Sequence, residues 1–199
     1  MGDQVSQYGQ FGTIIELLWL IFQRGTLGCF DKWVAEVSDD SYSYNNMLPY
    51  FRKSAHFHPP DNSQRPQNAT AKYNSSDWSP SGGPTQVGYS SWVNPISSWL
   101  GLGLQELGIQ ELSSLLSGNL LGWAYMALRL DPATQTRSSS EAFLQDAFQK
   151  TSNLVIYKST LAKRIIFENV EARGVVVDSG GISYNITASK EVILSAGVV

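Results

Sequence analysis

Apolar residues recur at helical spacing near the start of the chain, at Ile14, Leu17, Leu18 and Ile21, which predicts a buried amphipathic helix. Trp33 and Val37 share one face of a second, short helix over residues 31–37. A third starts at Asn45 or Asn46, residue types that suit an N-cap, and runs through Met47, Leu48, Tyr50 and Phe51 with Pro49 in its first turn. The periodicity then stops. Residues 55–84 are polar and rich in Pro, Ser, Asn and Gly, which predicts a long surface loop. Residues 85–92 read as a strand, and Pro95 starts a helix with Ile96, Trp99 and Leu100 inside. Residues 111–116 predict a further helix broken at Gly118, and residues 123–130 alternate as a strand does. Ser138, Ser139 and Ser140 cap a helix that buries Ala142, Phe143, Ala147 and Phe148.

From Asn153 the period changes from helical to extended. Short β-type runs occupy residues 154–157, 161–167, 174–177, 182–186 and 192–194. Asp178-Ser179-Gly180-Gly181 reads as a hairpin turn, because its glycines tolerate positive φ. The fold class is therefore α+β, with a β-meander closing the chain.

Composition fits a globular protein, with 42% hydrophobic and 16% charged residues over 199 positions. The net charge of −3 and the scattered Lys and Arg give no general attraction for nucleic acid or an anionic membrane. A single cysteine, Cys29, excludes an intrachain disulfide and a cysteine zinc site. The apolar run at 14–22 is interrupted by Glu16 and is far shorter than the ~20 residues a membrane span needs. Neither a basic n-region nor a small-residue cleavage site flanks it, so no signal peptide is expected, and both a cytoplasmic and a secreted location stay open. Met1-Gly2-Asp3-Gln4-Val5-Ser6 fits the myristoylation pattern, which fixes too few positions to outweigh chance.

Several local patterns fail as sites. Gly101-x-Gly103 begins like a dinucleotide fingerprint, but Glu106 stands where the third glycine belongs and a helix, not a strand, precedes it. His56 and His58 form an H-x-H pair with no third ligand in view, so they read as loop histidines and no metal is expected. Asn68-Ala69-Thr70, Asn74-Ser75-Ser76 and Asn185-Ile186-Thr187 are glycosylation sequons, the first two on the predicted loop. Tyr73, Trp78, Tyr89, Trp92 and Trp99 suit either a sugar-binding platform or internal packing, and packing is favoured.

Four stretches, in order, resemble the glucose-methanol-choline (GMC) oxidoreductase family, particularly its fungal members. They are Gln23-Arg24-Gly25-Thr26 with Phe30-Asp31-Lys32-Trp33; Ser41-Tyr42-Ser43-Tyr44 with Leu48-Pro49-Tyr50-Phe51-Arg52-Lys53-Ser54; Arg137-Ser138-Ser139-Ser140-Glu141-Ala142-Phe143-Leu144 with Asn153-Leu154-Val155-Ile156; and Lys190-Glu191-Val192-Ile193-Leu194-Ser195-Ala196-Gly197. The resemblance implies a partial GMC fold. Residues 1–22 would be an unmatched N-terminal segment and 23–54 a helical segment adjoining the FAD domain. Residues 55–136 would be a substrate-domain portion with a long loop, and 137–199 a partial FAD-binding domain of one helix and the β-meander.

By the same resemblance the complete enzyme holds FAD and oxidises the CH–OH group of a small-molecule alcohol. The family's N-terminal fingerprint and C-terminal catalytic His block have no counterpart in this sequence, so it reads as an internal fragment, inactive alone, with no catalytic residue of its own. The positions implied for FAD are Arg24 and Gly25 beside the flavin, Ala162 where the family contacts adenine through backbone, and Ser195, Ala196 and Gly197 where small residues let the chain approach the cofactor. Two other readings stay open: a non-catalytic binding or regulatory protein that keeps the substrate-domain scaffold, and a β-rich carbohydrate-binding module using Trp78 and Trp92. Substrate identity and oligomeric state are left open.

Overall fold

The computed structural model describes residues 20–196, which fall into two compact units, 20–152 and 153–196. The predicted helix around residues 14–21 lies almost wholly outside the described residues.

In the first unit, helix α1 spans Leu27–Val37. It starts before residue 31 because the Thr26 hydroxyl accepts the Cys29 N–H as an N-cap, and it stops where Ser38 turns to φ 55°. Helix α2 spans Tyr44–Ser54 and is capped by Ser43, whose hydroxyl accepts the Asn46 N–H. Neither Asn45 nor Asn46 is the cap, and Pro49 falls in the helix interior, where it withholds one N–H from the ladder.

Residues 55–84 keep an exposed face, as expected of a surface loop, but also send residues into the core. Strand β1 (Ala55–Phe57) pairs in parallel with β2 (Thr85–Val87), matching Ala55 to Thr85 and Phe57 to Val87. The intervening chain winds through three 3-10 turns at Asn62–Gln64, Gln67–Ala69 and Ser75–Asp77. Asp61 and Asn74 close two of these by accepting the N–H two residues on. Buried Arg65 satisfies the carbonyls of Ala69 and Ser90 at 2.8 and 2.5 Å. With its backbone paired locally, a polar segment can go inside, and Ala55, Ala69, Ala71 and Trp78 are all buried.

The other irregular stretches also differ from expectation. Strand β2 ends at Val87, and Gly88 forms only a bridge to Leu128. Residues 111–116 form no helix, because Leu112 and Trp123 meet through a backbone bond across an extended contact. The alternating run at 123–130 contributes bridges, followed by the short antiparallel pair β3 (Leu130–Asp131) and β4 (Thr136–Arg137). Helix α3 spans Pro95–Glu106, starting at Pro95 as predicted, with Asn94 as its N-cap. Its orientation is reversed, with Ser98 and Gly101 buried and Ile96, Trp99 and Leu100 exposed. Gly101 is required there, since a Cβ would lie 2.6 Å from the Trp123 ring. Helix α4 spans Glu141–Lys150 and buries no residue, so Phe143 and Phe148 are exposed rather than internal.

The second unit is a three-stranded antiparallel sheet ordered β5 (Thr160–Glu168), β6 (Glu171–Ser179), β7 (Ile182–Thr187). Gly180 and Gly181, at φ 60° and 84°, make the two-residue turn that pairs Ser179 with Ile182. Two irregularities interrupt the β5–β6 register, after Ala162 and after Ile166. The runs at 154–157 and 192–194 do not join the sheet, and Val155, Ile193 and Leu194 are exposed. The predicted closing strand is therefore absent, as no neighbour among the described residues pairs with it. No helix among the described residues is long and apolar enough to cross a membrane.

Candidate functional site

Arg24 is the most constrained of the predicted site residues. Its side chain is 5% exposed, and its two terminal nitrogens donate to the carbonyls of Asp77 at 2.7 Å and Leu116 at 3.3 Å. Its guanidinium lies 5.5 Å from the Phe51 ring centre and 6.0 Å from that of Trp78. Trp78 in turn stacks on Phe57 at 4.1 Å and on Phe22 at 5.5 Å. The Tyr44 hydroxyl donates to the same Leu116 carbonyl. A planar fork with several donors suits this role, because it ties two distant loops together at once. The sequence did not reveal Asp77 and Leu116 as its partners, nor Tyr44 as the group that shares Leu116.

Gly25 lies beside Arg24. A Cβ there would meet the Phe30 ring at 3.3 Å. Gly25, Cys29, Phe30, Trp33, Tyr42 and Met47 line an apolar cavity of about 260 Å³.

A second, more polar cavity of about 480 Å³ is lined by His58, Asp61, Gln64, Tyr89 and Gln135, among others. Gln86 donates to the Pro84 carbonyl at 3.2 Å, which leaves its amide oxygen to accept from His58 Nε2 at 2.7 Å. Burial pushes the Tyr89 phenol up to about 12, against the opposing pull of Arg65. Burial also lowers the Arg65 guanidinium. The Asp131 carboxyl is held below its ordinary value chiefly by the Ala133 N–H. The His56 and His58 rings sit 4.8 Å apart. Among the described residues no group of three His, Cys, Asp or Glu is placed to hold a metal. Trp78 is in the core and offers no face to a sugar, whereas Trp92 is exposed.

The remaining predicted positions lie in the other unit. Ala162 sits in β5 opposite Val177, with its side chain exposed. Ser195 and Ala196 are exposed and outside any strand, and Gly197 lies outside the described residues. The predicted positions thus divide between the two units, Arg24 and Gly25 in the first and Ala162, Ser195 and Ala196 in the second. Nor do these residues form a diphosphate cradle. The N-termini of α1, α2 and α3 are closed by their own caps, Thr26, Ser43 and Asn94, and the terminal nitrogens of Arg24 are engaged by protein carbonyls.

A family model described as GMC oxidoreductase matches residues 13–199. The match takes in residues 13–22, which the four stretches of resemblance do not reach. Among curated proteins, versicolorin B synthase of Aspergillus parasiticus is 42% identical over 182 residues, covering 90% of this chain and 28% of that protein. Patulin synthase of Penicillium expansum is 34% identical over 198 residues, covering 98% of this chain and 32% of that protein. Among solved structures, a fungal aryl-alcohol oxidase superposes with a TM-score of 0.78 at 23% identity, over 89% of this chain and 31% of that one. An FAD-dependent oxidoreductase from Chaetomium thermophilum gives 0.74 at 27% identity, over 86% and 29%. The chain thus spans about 30% of the length of such relatives.

Proposed function

We propose, from the premise that this chain belongs to the GMC oxidoreductase family, that it is a section of a larger FAD-dependent enzyme that oxidises the CH–OH group of a small-molecule alcohol. The family uses FAD, and the chain is related to fungal secondary-metabolism enzymes. The observation that carries the proposal is the amount of apolar surface left uncovered on a chain that follows the family's pattern throughout. Helix α3 turns Ile96, Trp99 and Leu100 outward, α4 buries nothing, and Leu161, Phe167, Ile182 and Ile193 are exposed in the sheet unit. Surfaces of this kind mark contact with further structure.

In such an enzyme the flavin accepts the hydride, and the protein contributes position and electrostatics. Arg24 fixes the loops at Asp77 and Leu116, and Gly25 lets the chain pass close to a planar group. Ala162 offers backbone to the adenine end, and the small residues Ser195, Ala196 and Gly197 bring little bulk there. None of these residues moves a proton or hydride, so no catalytic role is assigned within the chain.

The test is a chimera in which residues 13–199 replace the matching segment of versicolorin B synthase. Copurified FAD, seen as flavin absorbance, is expected. A soluble chimera that never holds flavin would count against the proposal and favour a non-catalytic binding protein.

A further inference from the structure

The three sequons differ in what their side chains already do. At Asn74 the amide oxygen accepts both the Ser76 N–H at 3.0 Å and the Ser76 hydroxyl at 2.9 Å. Both bonds use the oxygen, so Nδ2 is left free, and residues 74–76 are all exposed. The hydroxyl two residues on thus polarises the amide whose nitrogen must react. Asn68 and Thr70 are exposed as well, but their hydrogen bonding is the reverse. Its Nδ2 donates to the buried Ser98 hydroxyl at 3.0 Å, and Thr70 Oγ1 donates to the Gln67 carbonyl instead of to Asn68. Asn185 lies within β7 opposite Val176, and no hydrogen bond joins it to Thr187.

We propose that Asn74 is an N-glycan acceptor of this chain and that Asn68 is not. An oligosaccharide carried on a lipid diphosphate supplies the sugar. Nδ2 attacks its C1, the N–C1 bond forms, the C1–O bond breaks, and the lipid diphosphate leaves with the electron pair while Nδ2 gives up a proton. Two stages of folding favour the same residue. The Asn74 turn is closed by residues two apart, so it can form on an emerging chain before any long-range contact. After folding, Asn74 points outward, and a bulky, solubilising group there disturbs nothing. A glycan on Asn68 would lie against α3 and the Ser98 contact.

The experiment places the full chain behind a yeast secretory leader and reads occupancy at each sequon by mass spectrometry after endoglycosidase trimming, on both microsomal and secreted material. Asn74 is expected to be the most occupied sequon and Asn68 essentially unmodified. Ser76→Ala, which keeps Asn74 but removes the hydroxyl, should abolish the glycan as fully as Asn74→Gln, and Ser76→Thr should restore it. An unmodified Asn74 on chains whose leader has been cleaved would overturn the proposal. So would modification of Asn68, or greater occupancy at Asn185 than at Asn74.

Discussion

Replacing Arg24 with methionine keeps most of the side chain's length and removes its donors. The carbonyl of Asp77 loses its 2.7 Å partner, and Leu116 loses a weaker one at 3.3 Å but keeps the Tyr44 hydroxyl. A charge-assisted bond to a buried acceptor contributes about 1.5–3 kcal/mol. The Asp77 bond should therefore supply about 2 kcal/mol and the Leu116 bond about 1 kcal/mol. Methionine sulfur against Phe51 and Trp78 recovers roughly what the guanidinium gains from those rings. The expected loss is about 3 kcal/mol, or roughly 10 °C in melting temperature. Arg24→Lys should lose less, about 2 kcal/mol, because one ammonium can reach one of the two carbonyls but not span both. Urea unfolding followed by tryptophan fluorescence reads this directly. All tryptophans precede residue 153, so the signal reports the first unit alone. An Arg24→Met variant that unfolds within about 0.5 kcal/mol of the parent would refute the argument that Arg24 ties these loops together.

Further outcomes follow from the same geometry. Gly83→Ala would drive a Cβ into the Lys53 carbonyl and to 2.5 Å from the Ala55 nitrogen; backbone on both sides cannot yield easily, so a loss of about 3 kcal/mol is expected in the same urea assay. Gly103→Ala, with nothing within 4 Å, should instead stabilise α3 by up to about 1 kcal/mol. Because the folded protein holds the Tyr89 proton more tightly, its contribution is complete below pH 10 and fades as pH rises from 10 towards about 12; Tyr89→Phe should remove that alkaline fall, read as the difference between the two proteins' urea midpoints. Substituting alanine for both Gly180 and Gly181 forces two side chains into positive φ, at 60° and 84°, and should shorten amide-exchange protection of β6 and β7.

How far the sequence disclosed this structure depended on the kind of signal. Helix starts and turns were legible where one residue type dictates the backbone, as at Pro95 and Gly180-Gly181. The β5–β7 runs were legible because β-branched residues recur between clear turns. Residues 55–84 were partly misjudged because composition reports polarity, not whether polar side chains satisfy a buried backbone. The reversed face of α3 was hidden for a related reason: Gly101 leaves room for the bulk of Trp123, which lies 22 residues further along the chain. Phe143, Phe148, Val155 and Ile193 have the pattern of buried positions and are exposed here, as expected of residues whose cover is not among the described ones. Arg24 and Gly25 were singled out through the resemblance, while the Asp77 and Leu116 carbonyls that engage Arg24, and the Tyr44 hydroxyl that shares Leu116, required three-dimensional proximity.

The central claim is that this chain supplies scaffold to a flavin enzyme and does not by itself form the cofactor site. Equilibrium dialysis of the purified chain against FAD, with an alcohol-oxidation assay on the same sample, addresses it directly. The account predicts no retained flavin and no turnover from the chain alone. Stoichiometric FAD together with oxidation of an alcohol would contradict it.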